Sequence, residues 1–216
     1  MRISVQNTNY FLVFYILSCN FAVMETIIIL VRHGETVDNA RQIMQGQTQG
    51  ELNERGREQA LQVAERLAAE ALDAVVASDL HRAIQTAEII AAPHGLQVAT
   101  TPLLRERDWG GFTGRYIPEL KGEVWPDDIE SEEALLERAR QFLIYMTVTY
   151  PGKRVVAVGH GIINKAILAV YAQCPMREVQ RMLNAEVRVL TTTAERAASA
   201  AAVASSAAAV AAATAE

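Results

Sequence analysis

The sequence predicts an α/β fold: a three-layer sandwich with a mostly parallel central sheet and helices on both faces. Three observations predict it. Short apolar runs occur at Thr26-Ile27-Ile28-Ile29-Leu30, Ala74-Val75-Val76-Ala77 and Val155-Val156-Ala157-Val158. They are continuous rather than alternating, as strands covered on both faces are. Each run ends in a polar or glycine-containing turn, and each leads on to a segment with helical spacing. Strand, turn and helix therefore recur along the chain, the pattern of parallel strands joined by crossover helices.

Taken in order, the chain begins with a segment unlike the rest. Residues 10–17 are eight consecutive apolar residues, preceded by Arg2 and followed by Ser18-Cys19. Eight is too few to span a bilayer, but the run suits the apolar region of a signal peptide. The alternative is a start placed too far upstream, because Met24-Glu25-Thr26 opens the first strand cleanly. Residues 1–23 are thus an apolar leader or a mis-assigned start. A cytoplasmic location is expected, with export or lipid anchoring the alternative if residues 1–19 act as a signal.

The strand at 26–30 delivers Val31-Arg32-His33-Gly34-Glu35-Thr36, and the polar, Gly/Gln-rich residues 37–52 form a loop beside it. Asn53 caps a helix whose Ala60, Val63, Ala64, Leu67, Ala68 and Ala71 share one face. After the run at 74–77, Ser78-Asp79 turns the chain into a helix through Ala83, Ala87 and Ile90 that ends near Ala92. Pro93 and Gly95 punctuate, and Leu96–Thr100 suits a further strand. Residues 102–131, with several prolines and glycines and both tryptophans, are expected to form a pocket wall or lid. Ser131 caps the next helix, buried through Leu135, Leu136, Ala139, Phe142, Leu143 and Met146, until Pro151-Gly152 ends it. The run at 155–158 delivers Gly159-His160-Gly161 to a helix from about Ile163 to Ala172, and Glu186–Thr192 alternates as a last strand. Residues 24–193 thus read as one domain. Residues 194–216 are an Ala-rich tail that cannot pack a core of its own and carries no chemistry.

Composition narrows the function. A net charge of −5 over 216 residues leaves no broad basic surface for nucleic acid, so an anion must be caught by a local cluster of cations. Cys19 and Cys174 have neither disulfide-framework nor zinc spacing. No segment makes a stable membrane span. Oligomeric state is open, with a homodimer as the candidate assembly.

The strand ends carry the chemistry. Ligands of open α/β sheets bind at the carboxyl ends of strands, and here three such ends supply Arg32-His33, Ser78-Asp79-Leu80-His81-Arg82 and Gly159-His160. If these strands are parallel neighbours, two imidazoles and two guanidiniums converge with no metal-ligand spacing among them. That combination suits a tetrahedral oxyanion, because arginine binds phosphate bidentately and keeps its charge. Helix N-termini just past the turns would add backbone donors. Two nearby cations disfavour protonation of His33 and leave a ring nitrogen free to attack phosphorus. The glycines around His160 suggest close backbone approach to a ligand. His81 and His94 read as solvated side chains. Spacing alone leaves the proton donor open among Glu35, Asp79, Glu106 and Asp108.

Taken together, Arg32-His33-Gly34-Glu35-Thr36, Ser78-Asp79-Leu80-x-Arg82-Ala83, Leu104-Arg105-Glu106 and Gly159-His160-Gly161 resemble the histidine phosphatase superfamily, over roughly residues 26–190. The resemblance implies that His33 becomes a phosphohistidine, that Arg32, Arg82 and His160 clamp the phosphoryl group, and that Glu106 is the general acid and base. Trp109 would then give Glu106 a partly apolar wall. It also implies substrate contacts from Asn39 and Gln45, and Gly161 is added to these as a binding position. Asp38, Gln49 and Glu51 depart from the residues common in relatives, which leaves the phosphate clamp intact and substrate identity open. The short interval from Glu106 to His160 resembles the compact phosphatases more than the mutases. The expected activity is phosphomonoester hydrolysis on a small phosphorylated metabolite, without metal or cofactor. The alternatives are a phosphoglycerate mutase and, from another class, a non-catalytic phospho-ligand binding module.

Overall fold

The structure is a computed structural model that describes residues 24–199. The leader reading at 1–23 and most of the Ala-rich tail lie outside those residues.

A five-stranded sheet runs β3-β2-β4-β1-β5, with β1 Thr26–Arg32, β2 Ala74–Ser78, β3 Val98–Thr101, β4 Arg154–Gly159 and β5 Val187–Thr192. The first four strands pair in parallel, and β5 is antiparallel to β1. Because β2, β4 and β1 are adjacent and parallel, Ser78, Gly159 and Arg32 end on one edge of the sheet. Arg32 and Gly159 are direct partners in register.

Side-chain alternation divides the core in two. Ile28 and Leu30 of β1, with Val155 and Ala157 of β4, pack on Leu135, Phe142, Met146, Ile163 and Ile167. Those residues belong to two helices on that face, Glu132–Thr149 and Gly161–Ala172. Ile29, Val31, Val156 and Val158 face the other way onto Val63, Leu67, Ala87 and Ile90, from the helices Glu54–Leu67 and His81–Ala91. In chain order the helices are α1 Val37–Ala40, α2 Glu54–Leu67, α3 His81–Ala91, α4 Glu132–Thr149 and α5 Gly161–Ala172.

Three local features differ from the sequence reading. The 37–52 loop contains α1, because Thr36 and Asn39 form a reciprocal capping box around its start. β3 begins at Val98 rather than Leu96, after Gly95 turns the chain in the left-handed region. Residues 194–199 are helical, and Ala197 is buried in the α4/α5 half of the core. The start of the Ala-rich stretch therefore joins the domain, because alanine's methyl is small enough to fit against that core.

Among the described residues no helix is long and apolar enough to cross a membrane. Residues 102–131 form three short 3-10 turns and border the loop at 43–46, through a bridge between Ile43 and Tyr116 and a bond from Met44 N–H to the Arg115 carbonyl. The expected pocket wall is thus stitched to the loop that follows the first strand.

Candidate active site

At the β1 end, Gly34 brings the Arg32-His33 turn against the first turn of α2. A Cβ on Gly34 would collide with the Gly56 carbonyl, and one on Gly56 with that of Glu35. The turn is further held by Gly34 N–H on Thr86 and Glu35 N–H on Gln59.

His33 is 3% exposed, and its Nδ1 lies 2.7 Å from the Gly34 carbonyl oxygen. A carbonyl only accepts, so Nδ1 carries the proton and Nε2 is left with its lone pair. Burial, then the charges of Arg82 and Arg32, holds the imidazole well below the ordinary histidine pKa and keeps it neutral. His160, fully buried at the β4 end, stands 5.0 Å away between ring centroids. Arg82 Nε donates to His160 Nδ1 at 3.2 Å, so the proton of His160 sits on Nε2. Burial and Arg82 likewise hold this imidazole far below its usual pKa. The two rings are thus in opposite tautomers: one offers a lone pair at Nε2, the other a donor.

The two arginines are engaged differently. Arg82, 1% exposed, gives its Nη1 to the carbonyls of Thr48 and Gln49 and its Nη2 to that of Gly46 at 2.8 Å. It ties the 46–49 loop to the β2 end as well as facing the cavity. Arg32 spends one Nη1 bond on the Met182 carbonyl at 2.8 Å, while its buried Nε has no protein partner. Burial lowers both guanidinium pKa values to about 10, which leaves both charged at neutral pH. His160 Nε2 is a second buried donor without a protein partner. An unmade buried hydrogen bond costs about 1–3 kcal/mol, so an oxyanion accepting from both groups would recover a sizeable penalty.

Glu106 comes from the loop after β3, 7% exposed. Its carboxylate accepts from the N–H groups of Ile162 at 3.0 Å, Ile163 at 3.2 Å and Arg107 at 2.9 Å. The first turn of α5 has no side-chain cap of its own, so Glu106 supplies it from 56 residues away. The expected apolar wall is therefore replaced by backbone donors: Trp109 lines the cavity, and the carboxylate itself is seated on the helix N-terminus. The expected role of helix N-termini in holding the phosphoryl group changes with it. The Ile162 and Ile163 N–H groups of α5 are taken by Glu106, and the His81 N–H that opens α3 donates to Gln49 Oε1.

These side chains meet in a cavity of about 190 Å³. Arg32, His33, Asn39, Gln45, Arg82 and Glu106 line it, so six of the eight residues singled out above share its wall. His160 and Gly161 are not among the lining residues, though the His160 ring stands 5.0 Å from that of His33, which is. Asn39 Oδ1 is occupied by the Thr36 N–H and the Asn184 amide, and Gln45 Nε2 donates to Thr36 Oγ1 at 2.8 Å. Ile43, Met44, Trp109 and Ile117 form an apolar side. Among the lining residues Glu106 is the one carboxylate. Asp79 is spent on Arg105, Glu35 on Asn53, and Asp108 on the Gly110 N–H. His81 lies 46% exposed at the surface, as expected of a solvated side chain.

Sequence reasoning missed several members. Arg138 of α4 clasps the acid loop, donating to the carbonyl of Arg105 at 2.6 Å while paired with Glu130 at 2.7 Å. Asn184 donates to the His33 carbonyl at 3.1 Å, and Arg181 lines the cavity. The signal at 181–184 was weak: a mixed Arg-Met-Leu-Asn stretch between α5 and β5 with no periodicity.

Comparison with known proteins agrees with this arrangement. The chain matches the histidine phosphatase superfamily (branch 1) over residues 28–204. Phosphoglycerate mutase-like protein 4 of Arabidopsis thaliana is 37% identical over 179 residues, covering 75% of this chain and 77% of that protein. The metal-independent phosphoserine phosphatase of the same plant is 36% identical over 185 residues, covering 76% of each. Among solved structures, phosphoserine phosphatase of Entamoeba histolytica in complex with 3-phosphoglyceric acid superposes with a TM-score of 0.69 at 26% identity, covering 76% of this chain and 89% of that one. A mostly parallel sheet that brings an Arg-His pair, a second histidine and a second arginine to one edge, in a sequence matched over most of its length, places this chain in the histidine phosphatase superfamily.

Proposed function

We propose that the protein is a phosphomonoester hydrolase that works through a phosphohistidine intermediate on a small phosphorylated metabolite. The observation that carries this reading is the opposed pair of buried, neutral imidazoles, one with a free lone pair and the other with an unpartnered donor, between two charged arginines. In the first step His33 Nε2 attacks phosphorus and the bond from phosphorus to the ester oxygen breaks. Glu106 delivers a proton to the departing alkoxide. In the second, Glu106 takes a proton from water as the water oxygen attacks phosphorus, and the bond from phosphorus to nitrogen breaks, releasing phosphate. Arg32, Arg82 and the Nε2 donor of His160 stabilise charge on the non-bridging oxygens.

Asn39 and Gln45 are assigned to substrate contact because both stand on the cavity wall, and Gly161 acts by leaving room beside that wall. A volume near 190 Å³ is below the usual range for drug-sized ligands, which favours a compact ester. Relatives named as phosphoserine phosphatase and phosphoglycerate mutase-like protein support a small phosphoester substrate. Phosphate release from p-nitrophenyl phosphate tests the reading. Turnover is expected to persist with a chelator present and to fall at least about 10³-fold in His33→Ala, as loss of a covalent nucleophile does. Isomerisation of 3-phosphoglycerate without phosphate release would favour the mutase, and phosphoester binding with no turnover would favour a binding module.

A further inference from the structure

Arg181 is a third arginine at the cavity, and it is placed unlike the other two. Arg32 and Arg82 are buried and each is tied to backbone carbonyls. Arg181 is exposed and, among the described residues, makes no hydrogen bond or ion pair, yet it lines the same cavity. Its position is set by the residues around it. Met182 is fully buried and its carbonyl is held by Arg32 Nη1. Asn184 holds the His33 carbonyl, and the Ala185 N–H reaches the Arg32 carbonyl at 3.0 Å. The backbone carrying Arg181 is thus pinned to the end of β1.

The guanidinium lies over Gly161. A Cβ there would come within 2.5 Å of Arg181 Nε and 2.8 Å of Nη2. Gly161 therefore serves a different purpose from the ligand approach expected of it: its missing side chain is the space Arg181 fills. Gly159 is explained separately, since a Cβ there would strike the Asn164 side chain. Arg181 also depresses the pKa of His33, after Arg82 and Arg32 in strength, as a charge one step farther from the nucleophile does.

We propose that Arg181 is a specificity-determining residue that binds a carboxylate on the alcohol part of the substrate, so that the preferred substrates are phosphoesters of small hydroxy acids. This rests on the hydrolase reading and adds the substrate class to it. The chemistry follows from charge. With Arg32, Arg82 and His33 already lining the cavity for the phosphoryl group, a further cation at the rim, without a counter-ion, has no role in a neutral alcohol. A planar guanidinium matches a carboxylate bidentately. One unpaired positive charge suits a single carboxylate better than a second doubly charged phosphate. The cavity's small volume leaves room for an alcohol of only a few carbons.

Two matched pairs of compounds test this. O-phosphoserine and phosphoethanolamine differ by the carboxylate alone, and 3-phosphoglycerate differs from glycerol 3-phosphate by a hydroxymethyl group in its place. Affinities are measured by calorimetry on the His33→Ala protein, where turnover plays no part, with and without Arg181→Gln. The expected result is that Arg181→Gln weakens binding of the carboxylate member of each pair by at least about tenfold more than its partner, with Arg181→Lys intermediate. Equal weakening of both members, or no weakening, overturns the proposal. Specificity constants of the protein with His33 intact test the underlying reading separately. If calorimetry gives the expected split while no phosphoester is hydrolysed, the hydrolase reading fails and Arg181 stands. If esters are hydrolysed but the split is missing, Arg181 fails alone.

Discussion

Two histidines are buried side by side in this site, and the cost of burying them depends on pH. Burial and the neighbouring arginines hold both His33 and His160 well below 6.5 in the folded chain. In the unfolded chain they titrate near 6.5. Above that value neither state binds the protons and no penalty arises. Below it, the unfolded chain takes up protons that the folded chain refuses, so stability is lost as pH falls. The slope reaches about 1.4 kcal/mol per pH unit for each histidine. Urea midpoints at pH 7.5 and 5.5, a window above the range where carboxylates titrate, should show a clear drop. His160→Gln, which cannot charge, should remove about half of it. A midpoint unchanged or rising toward pH 5.5 would contradict the neutral pair. Burial creates this situation, and the arginines deepen it while fixing the geometry of the pair. Arg82 fixes the tautomer of His160 by donating to Nδ1, and lysine in its place would keep the charge and lose the fork.

The functional elements are strand ends, helix starts and one loop after β3. α5 has no local cap, and the carboxylate seated on its first turn is the proposed proton carrier. The loop that carries Glu106 is held in turn by α4. Arg138 reaches the carbonyls of Leu103 and Arg105 while pairing with Glu130, both partners mostly buried. Arg107 and Asp108 are fastened to Glu130 as well. Arg138 is therefore a positioning residue for Glu106. Arg138→Ala is expected to lower kcat by about 10- to 100-fold with a smaller change in KM. Arg138→Lys should restore part of the loss. Equal effects on kcat for an ester with a good and a poor leaving group would speak against it, because only a poor one needs the proton.

For the whole molecule, legibility in the sequence followed the range of the determining contacts. The three buried strands could be read because continuous β-branched runs depend on local composition, and their convergence at one edge follows once β2, β4 and β1 lie parallel and adjacent. His33, Arg32, Arg82 and His160 were legible for the same reason, each standing directly at a strand end or first helical turn. Glu106 was one of four carboxylates by spacing and was singled out by the resemblance alone; what the fold adds is its seat, since its partners Ile162 and Ile163 lie more than fifty residues away. Arg181 and Arg138 were illegible because nothing local marks them: one sits in an irregular connection of mixed polarity, the other on an amphipathic helix where an arginine reads as solvated. The apolar wall expected beside Glu106 was only partly right. Trp109 faces the cavity, while the carboxylate meets backbone donors that no composition reveals. Substrate identity belongs to this same level, since Ile43 and Met44, Trp109 and Ile117, and Arg181 come from three separate connections.

The proposed reaction turns on one covalent bond, between phosphorus and Nε2 of His33. The direct test is a pulse of phosphoester carrying labelled phosphate, quenched in alkaline detergent and followed by peptide mapping. Label is expected on the His33 peptide, withstanding alkali and released by acid, with none in His33→Ala. Label that withstands acid, label on another residue, or steady turnover with no labelled protein at any time would contradict it.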